Sequence, residues 1–401
     1  MTRLLYILPG LVPPYSNPAL DALTYLSEVA EGEVLLPVWW RSPDNAPAAM
    51  RAEFPVHRVG KFRYHFFLAY AYGTSWRSLA KLSFYMRKGL QLHRQKKFEV
   101  IMTYGTNIPG LVGIILKWLT GAKLIIEIPG VPENAFRFDT PNPGVKSRIK
   151  RLFADTILNL VGAAADCIRL FYPSQLKNYP YLKGKKSAVF HAFVPVRAIT
   201  PIDSDERFIL SVGYPWYTKG MDILIRAFVS IAPQFPNYKL KLMGHFPDRN
   251  ALEHFAAGCP QVEFVKAAPY DVALDVIARC SLYVLASRTE SMGRVLLEAM
   301  AARKPIIASA VGGVPYYIRD NDNGLLFQLE NVEELAAKLA TILNSAELRT
   351  RLANRGYDRA MAEYDEASFV QTFRTMLESV GQLPDGNVTA AEAHHDVSVQ
   401  P

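Results

Sequence analysis

Two glutamates, Glu290 and Glu298, stand eight positions apart in the stretch ESMGRVLLEAM. On one continuous helix this spacing leaves two side chains about 80° apart, on adjoining faces. If Glu290 lies in the loop before the helix, it can point toward the same site from the side. A carboxylate accepts two hydroxyl hydrogen bonds, which suits a ribose diol or hexose hydroxyls. Two solvated charges on a surface helix are the alternative, and this stretch alone leaves both open.

Anion contacts are available close to these carboxylates. Ser291-Met292-Gly293 opens the same helix, and the glycine lets backbone N–H groups approach an anion or a sugar hydroxyl. In SVGYPWYTKGMDILI a strand ends at Gly213, and Lys219 begins the next helix, from which it can reach a diphosphate. A solvated loop lysine is the alternative. The loop is not a Walker loop, because GK[ST] is absent.

Other polar clusters indicate less. Glycine pairs more often form turns than sites, and an acidic DSD stretch resembling a metal-binding DxD lies in a predicted linker. The histidines are separated in sequence and lack zinc spacing, so packing or surface roles are expected. These weaker candidates are Gly312-Gly313, Asp203-Ser204-Asp205, His191, His245 and His254.

Short apolar runs and helical segments alternate in both halves of the chain. This alternation predicts an α/β fold, in which mostly parallel sheets are covered on both faces. Within YSNPALDALTYLSEVAE we expect a helix capped by Asn17, with Pro18 in its first turn. Another helix is expected from about Ile108 to Leu119. Parallel sheets bind ligands beyond the carboxyl ends of their strands, where the loops above lie. The predicted strands are RLLYILPG, EVLLPVWW, FEVIMTYG, AKLIIEIPG, RFILSVGY, YKLKLMGH, VEFVKA, SLYVLAS and KPIIASA.

The length of 401 residues favours two domains. We predict Rossmann-like domains at 1–197 and 207–365, joined by a polar, proline-containing linker at 198–206. A last helix, at 366–384, lies beyond the second sheet's pattern and could pack back on the first domain. The polar tail at 385–401 is predicted to be disordered.

The net charge of +8 is unevenly distributed. Residues 1–200 carry 26 Lys and Arg against 12 Asp and Glu, whereas residues 201–401 carry 19 against 25. Between Phe54 and Phe98 there are ten Lys or Arg, no acid and several aromatic residues. This pattern suits an anionic membrane surface. A solvated basic face with core aromatics is the alternative, and nucleic acid is less favoured because no recognition motif is present.

The chain is expected to be cytoplasmic. No secretory signal is recognised, because Met1-Thr2-Arg3 leads into an apolar run only as long as a strand. The most apolar long window, 108–128, contains Lys117, Lys123 and Glu127, which argues against a membrane-spanning helix. The three cysteines, Cys167, Cys259 and Cys280, are widely spaced and indicate reduced core thiols. With the basic segment 54–98, we expect peripheral association with the inner face of the cytoplasmic membrane.

The loops of the second half resemble the donor-binding domain of the retaining GT-B glycosyltransferases, glycosyltransferase family four, also called group 1. The resemblance covers 208–343 strongly and the first half in outline. Its most specific element is Glu290-x7-Glu298, followed by KPIIAS, VGGVP and NGLLF in the family's order. It implies two Rossmann-like domains facing across a cleft. It also implies sugar transfer from a nucleotide diphosphate sugar with retention, usually without a metal or other cofactor.

The resemblance also assigns roles to individual residues. Glu298 is similar to the glutamate that binds the nucleotide ribose, Glu290 to the one facing the transferred sugar, and Lys219 to the diphosphate-binding lysine. Glu290 and Lys219 are therefore the predicted catalytic residues. The predicted donor-binding residues are Glu298, Gly293, Ser291, Met292, Arg294, Gly213, Tyr214 and Arg288.

Several positions depart from the family pattern. Tyr214 stands where the family usually has an arginine, a loss for which Arg288 or Arg294 could compensate. Tyr316 stands where a glutamate usually follows the glycine pair. The stretch EIPGVPEN offers no histidine near the reacting sugar, and PGLVPP keeps a single glycine. The acceptor-side candidates are therefore Gly10, Glu127 and Glu133.

The expected function is transfer of a sugar from a UDP-sugar or GDP-mannose to a lipid-linked or polysaccharide acceptor, in envelope or exopolysaccharide biosynthesis. The departures keep a second hypothesis open, a non-catalytic GT-B protein that binds nucleotide sugar or lipid. A GT-B phosphorylase or epimerase is a third. Phosphate dependence, or isomerisation of the sugar without an acceptor, would distinguish those two.

Overall fold

A computed structural model describes residues 1–9, 18–38, 58–68, 77–130, 145–203, 206–247 and 249–381. The chain divides into two compact units, of which the first contains Met1–Pro129, Thr156–His191 and the chain from Phe369 onward. The second contains Gly130–Asp155 and Ala192–Ser368, so the predicted linker at 198–206 falls inside it. The predicted tail at 385–401 lies outside the described residues.

The first unit is built on an eight-stranded sheet. Its strands are β1 (Thr2–Ile7), β2 (Ala30–Val38), β3 (Arg58–Val59), β4 (Phe62–Leu68), β5 (Val100–Tyr104), β6 (Lys123–Glu127), β7 (Cys167–Leu170) and β8 (Ser187–Val189). They are ordered β3-β4-β2-β1-β5-β6-β7-β8, with β3 antiparallel to β4 and the other pairs parallel. Leu4, Leu5 and Ile7 of β1 are all fully buried, as expected of a strand covered on both faces.

In the described residues, helices occur between these strands. They are α1 (Ala22–Leu26), α2 (Arg77–Gln95), α3 (Ile108–Thr120) and α4 (Val145–Ala164). The start of α3 agrees with the sequence, and a helix is present in the stretch predicted for α1, but its α-helical part begins later than expected. The helix begins after Asp21, whose carboxylate accepts the N–H of Leu23, and it is preceded by a 3₁₀ turn at Pro18–Leu20. Asn17, the expected cap, lies outside the described residues.

The aromatic residues of the basic segment belong largely to the first core. At the start of β4, Phe62 and Tyr64 are buried while Arg63 between them is exposed, as is Lys61 just before the strand. Tyr85 on α2 is fully buried and its hydroxyl donates to the Leu8 carbonyl at 2.6 Å. These three rings pack in the protein and are not available at headgroup depth, which corrects that part of the membrane interpretation. Trp76 lies outside the described residues.

The second unit repeats the parallel arrangement. Its strands are β9 (Phe208–Val212), β10 (Lys239–Gly244), β11 (Val262–Lys266), β12 (Leu282–Leu285), β13 (Ile306–Ser309) and β14 (Leu325–Phe327). They are parallel and ordered β11-β10-β9-β12-β13-β14, so the strand order reverses between β9 and β12. The prediction of two Rossmann-like parallel sheets is confirmed. Ligands of such sheets bind where the order reverses, beyond the carboxyl ends of the strands.

The remaining helices complete both units. They are α5 (Met221–Ile231), α6 (Arg249–Ala256), α7 (Tyr270–Arg279), α8 (Arg294–Ala301), α9 (Val314–Tyr317), α10 (Val332–Asn344), α11 (Ala346–Glu363) and α12 (Glu366–Gly381). Short 3₁₀ turns also occur at Pro173–Asn178, Pro180–Leu182, Val196–Ala198 and Ala232–Gln234. The three cysteines are free thiols, in agreement with the sequence. None of the helices in the described part of the chain is long and apolar enough to cross a membrane.

Candidate active site

The candidate site lies in the second unit, in the loops that follow β9 and β12. Lys219, near the end of the first loop, and Glu290, in the second, form an ion pair with Nζ and Oε2 at 2.6 Å. Both side chains are mostly shielded, with 21% of the lysine and 12% of the glutamate exposed. Both predicted catalytic residues therefore meet at the point where the strand order reverses.

Gly213 leaves room for the lysine at this site. A Cβ atom at Gly213 would lie 2.8 Å from Cγ of Lys219, so the aliphatic stem of the lysine rests on the glycine backbone. Any larger residue at 213 would displace the lysine stem from its present position. The structure thus shows that Gly213 makes room for the Lys219 side chain. A direct contact of Gly213 with the donor stays a prediction.

The glycine pair after β13 holds the backbone of Glu290. The Gly313 N–H donates to the Glu290 carbonyl at 3.2 Å, and a Cβ atom at Gly312 would lie 1.9 Å from the same oxygen. Gly312 also has φ of 53°, in the left-handed region that favours glycine. In the sequence, the VGGVP stretch was only weak evidence for a site. In the structure, its glycines hold the backbone of Glu290 in position.

Helix α8 carries the second glutamate. Gly293, with φ of 69°, caps the helix and Arg294 begins it. Ser291 is half-buried, whereas the Met292 side chain is buried and its sulfur accepts the Ala192 N–H at 3.0 Å. The Met292 side chain therefore packs inside the second unit, and only its backbone is available to contact a nucleotide-sugar donor.

Glu298 is buried at the inner side of the site. The Tyr270 hydroxyl donates to its Oε1 at 2.9 Å, and the Arg294 guanidinium lies 3.7 Å from the same oxygen. Burial raises the pKa of Glu298 above its usual range, against the opposing effects of Arg294 and of the Tyr270 hydrogen bond. Tyr270 was missed in the sequence, where the only signal is its position at the start of α7, immediately after a proline.

Arg288 does not occupy the role that the sequence suggested. Its guanidinium donates to both carboxylate oxygens of Asp222 at 2.8 Å, to Glu330 at 2.6 Å and to the Tyr217 carbonyl at 2.6 Å. It also lies 3.8 Å from the centre of the Tyr217 ring. With its charge neutralised and its side chain buried, Arg288 is a structural residue of the second unit, and the predicted compensation for Tyr214 is not supported at this position.

The two tyrosines at family-departure positions are both partly open to solvent. Tyr214, 48% exposed, has its ring centre 5.4 Å from that of His245. Tyr316 is 44% exposed, and its carbonyl accepts from Arg359 at 3.1 Å. Arg294 keeps 41% of its side chain exposed, so it is the better placed of the two predicted compensating arginines.

Of the acceptor-side candidates, the structure describes Glu127, which lies in the first unit. Glu127 is buried and pairs with Arg169 at 2.6 Å, while the Tyr6 hydroxyl donates to its other oxygen at 3.0 Å. Desolvation, followed by the negative charge of Glu127, raises the pKa of Tyr6. A carboxylate engaged on both oxygens holds the first core together, which argues against the predicted acceptor role. Gly10 and Glu133 lie outside the described residues.

The buried carboxylate predicts a pH-dependent stability effect. The pKa of Glu298 is higher in the folded protein than in the unfolded chain. The free energy of unfolding therefore falls as the pH rises from the pKa of the unfolded chain to that of the folded protein. We expect Glu298→Gln to raise the free energy of unfolding at neutral pH, on the scale of roughly 0.5–2 kcal/mol for such substitutions. The gain should disappear at pH below the usual range of glutamate. Denaturant unfolding across pH measures this, and the exposed Glu333→Gln should show no such trend.

Comparison with known proteins shows which proteins the second half of the chain resembles. Residues 195–359 match the family described as glycosyl transferases group 1. An uncharacterized glycosyltransferase of Methanocaldococcus jannaschii is 33% identical over 192 residues, 47% of this chain and 52% of its own length. The lipopolysaccharide core biosynthesis glycosyltransferase LpsE of Rhizobium meliloti is 27% identical over 184 residues, 46% of this chain and 53% of its own. The chain thus spans about half the length of the curated relatives it matches.

Solved structures extend the likeness to nearly the whole chain. Sucrose-phosphate synthase from Thermosynechococcus elongatus superposes with a TM-score of 0.76 at 17% identity, covering 95% of this chain and 99% of that one. HepE from Anabaena, solved with UDP and glucose, gives 0.67 at 16% identity and covers 94% and 99%. At such identities the likeness concerns the fold, which is GT-B. The chain therefore has the GT-B fold, and its residues 195–359 are similar to the group 1 glycosyl transferases.

Proposed function

We propose that this protein transfers a sugar from a nucleotide diphosphate sugar to a lipid-linked or saccharide acceptor, with retention of configuration. The observation that carries the proposal is the ion pair of Lys219 with Glu290, which lies in the loop leading into the helix that carries the buried Glu298. Lys219 and Glu290 pair at 2.6 Å beyond β9 and β12, and Glu298 lies buried on the adjoining helix. A cation for phosphate and two carboxylates for hydroxyl groups match the parts of such a donor.

Each part of the donor has a counterpart in this site. The buried Glu298 carboxylate suits a ribose diol, because an acceptor shielded from water gains most from hydroxyl donors. Lys219 suits the diphosphate, whose charge can draw the ammonium away from Glu290. The freed Glu290 carboxylate then accepts hydroxyls of the sugar that is transferred. Of the two donor classes, UDP-sugars are favoured, because HepE was solved with UDP and with UDP-glucose.

In the chemical step, Lys219 has the main role among the residues of the site. The bond from the anomeric carbon to the diphosphate breaks, and the acceptor oxygen bonds to the same face while its proton passes to the departing diphosphate. Negative charge grows on the diphosphate during this step, where Lys219 and backbone N–H groups stabilise it. No metal or other cofactor is required in this scheme, which stays a prediction.

The first unit is proposed to meet the acceptor at an anionic membrane surface. Support comes from the basic excess in 54–98, of which 58–68 and 77–98 are described, and from the lipopolysaccharide-directed relative LpsE. A peripheral location on the inner face of the cytoplasmic membrane, in envelope or exopolysaccharide assembly, follows from this proposal. Co-sedimentation that requires anionic vesicles and weakens with salt is the expected result, and equal binding to neutral vesicles would contradict it.

Nucleotide binding tests the donor assignment. We expect one of UDP, GDP, ADP and TDP to bind wild type with a micromolar Kd in calorimetric titration, and Glu298→Ala to abolish the heat. The exposed Glu333→Ala is the matched control and should bind as wild type does. If no nucleotide binds wild type, the donor assignment fails. If a nucleotide binds but neither transfer nor donor hydrolysis occurs, the non-catalytic hypothesis replaces the enzyme.

A further inference from the structure

A basic pocket of about 260 Å³ opens on the first unit, away from the carboxyl ends of its strands. It lies at the edge where the parallel strands β1, β2, β4 and β5 begin. Ligands of parallel sheets normally bind at the opposite edge, so the common use of the fold does not explain this pocket. The cations that line it are Arg3, Arg58, Lys61, Arg63 and Lys96.

The pocket keeps a surplus of positive charge after its own ion pairs are formed. It contains two carboxylates, and each already has a cationic or hydrogen-bonding partner. Glu31 pairs with Lys96 at 2.5 Å, and Glu33 contacts Nε2 of His65 at 2.6 Å. Lys96, Arg3 and Lys61 all help to lower the pKa of Glu31, with the Lys96 hydrogen bond contributing most. This lowering indicates a positive field in the pocket.

Two arginines face each other within this field. Arg58 and Arg63 are directly opposed in the antiparallel pairing of β3 with β4, so their side chains share one face of the hairpin. Like charges in opposed positions destabilise a strand pair. Neither guanidinium forms an ion pair with any residue in the described ranges of the chain. An anion held between them would remove the repulsion and use the planar fork that suits phosphate oxygens.

We propose that this pocket binds a phosphate group, carried either by a lipid headgroup or by a free phosphate compound. Its volume lies just below the range of about 300–1,000 Å³ typical of drug-sized ligands, so a headgroup or a small phosphate ester is the appropriate size. Because the pocket is confined to the first unit, it is separate from the donor site. The phosphate-binding proposal would add a specific contact to the proposed membrane surface. It depends neither on membrane binding nor on sugar transfer.

The test removes the opposed arginines and compares two sources of phosphate. Arg58→Gln/Arg63→Gln is set against Arg94→Gln/Lys97→Gln, which removes the same charge from exposed positions near the pocket that do not line it. Pyrophosphate is titrated calorimetrically into each protein. Flotation is measured with vesicles of phosphatidylcholine, alone or mixed equally with phosphatidylglycerol or phosphatidic acid. UDP titration of all three proteins shows whether the donor site is intact.

We expect the pocket variant to lose about ten- to a hundredfold in affinity, while the control stays within about threefold of wild type. Loss confined to pyrophosphate assigns the pocket to free phosphate compounds, and loss confined to acidic vesicles assigns it to a headgroup. Equal behaviour of the two variants with every probe overturns the proposal. Unchanged UDP binding in the pocket variant separates this outcome from any failure of the donor assignment.

Discussion

Replacing Lys219 by alanine is expected to lower kcat for sugar transfer by about 10²–10³ and also to weaken nucleotide binding, because the lysine is proposed to contact the diphosphate of the bound donor. The lysine is held at the carboxyl ends of β9 and β12, where the proposed mechanism develops negative charge on the departing diphosphate. Removing one such electrostatic contact costs about 2.7–4 kcal/mol of transition-state stabilisation in characterised enzymes. The measurement is the initial rate of nucleotide diphosphate release from the donor in the presence of acceptor.

The control for this experiment is Lys266→Ala. Lys266 ends β11, at the same edge of the sheet, but it is exposed and far along the strand order from the reversal point. Its loss should leave kcat within about twofold of wild type. Since Lys219 and Glu290 are paired, Glu290→Gln in the Lys219→Ala background should cost less than it does alone. Additive losses would show that the pair does not act together.

Replacing Arg288 by leucine is expected to destabilise the protein by about 3–5 kcal/mol, the usual cost of removing one partner of a buried ion pair. The reason is Asp222, which would stay buried after losing both of its 2.8 Å contacts to Arg288. Denaturant unfolding, followed by a probe in the second unit, measures the change. The double variant Arg288→Leu/Asp222→Leu should recover much of the loss, because no uncompensated charge remains.

Arg226 supplies the matched control for this prediction. It approaches the same Asp222 carboxylate at 3.7 Å, but 45% of its side chain is exposed. Exposed ion pairs contribute about 0–1 kcal/mol, so Arg226→Leu should cost no more than that. If both arginines cost the same, Arg288 is not buried as described, and its proposed role in donor binding would have to be reconsidered.

The sheets could be predicted because their signal is local. The runs FIL in β9 and LII in β6 are continuously apolar, as expected of strands covered on both faces. Strand β4 was not predicted from the sequence, because basic and aromatic residues in succession fit a strand and a membrane surface equally well. Only its pairing with β2, which buries Phe62 and Tyr64, distinguishes the two. The start of α1 was missed for a simpler reason, since both Asn17 and Asp21 are suitable caps.

The site was predictable where residues act through fixed local spacing. Glu290, Glu298 and Lys219 lie in loops or helix starts that the motif itself identifies. Partners distant in sequence were not predictable, because nothing local marks them. Tyr270 reaches Glu298 across 28 positions, and Arg288 reaches Asp222 across 66. Whether an arginine binds a ligand or a buried carboxylate depends on contacts of this kind.

If the proposed donor site is correct, the resting ion pair between Lys219 and Glu290 would make it discriminate between different anions. Glu290 is an internal competitor that occupies the lysine at 2.6 Å, so a simple anion gains little by entering. In the proposed binding mode, a nucleotide whose ribose is held by Glu298 would present its diphosphate at a high effective concentration and so displace the internal carboxylate. Binding of the ribose by Glu298 would thus be required before the diphosphate could bind Lys219. A site built in this way can use a strong cation for catalysis while remaining insensitive to inhibition by small inorganic anions.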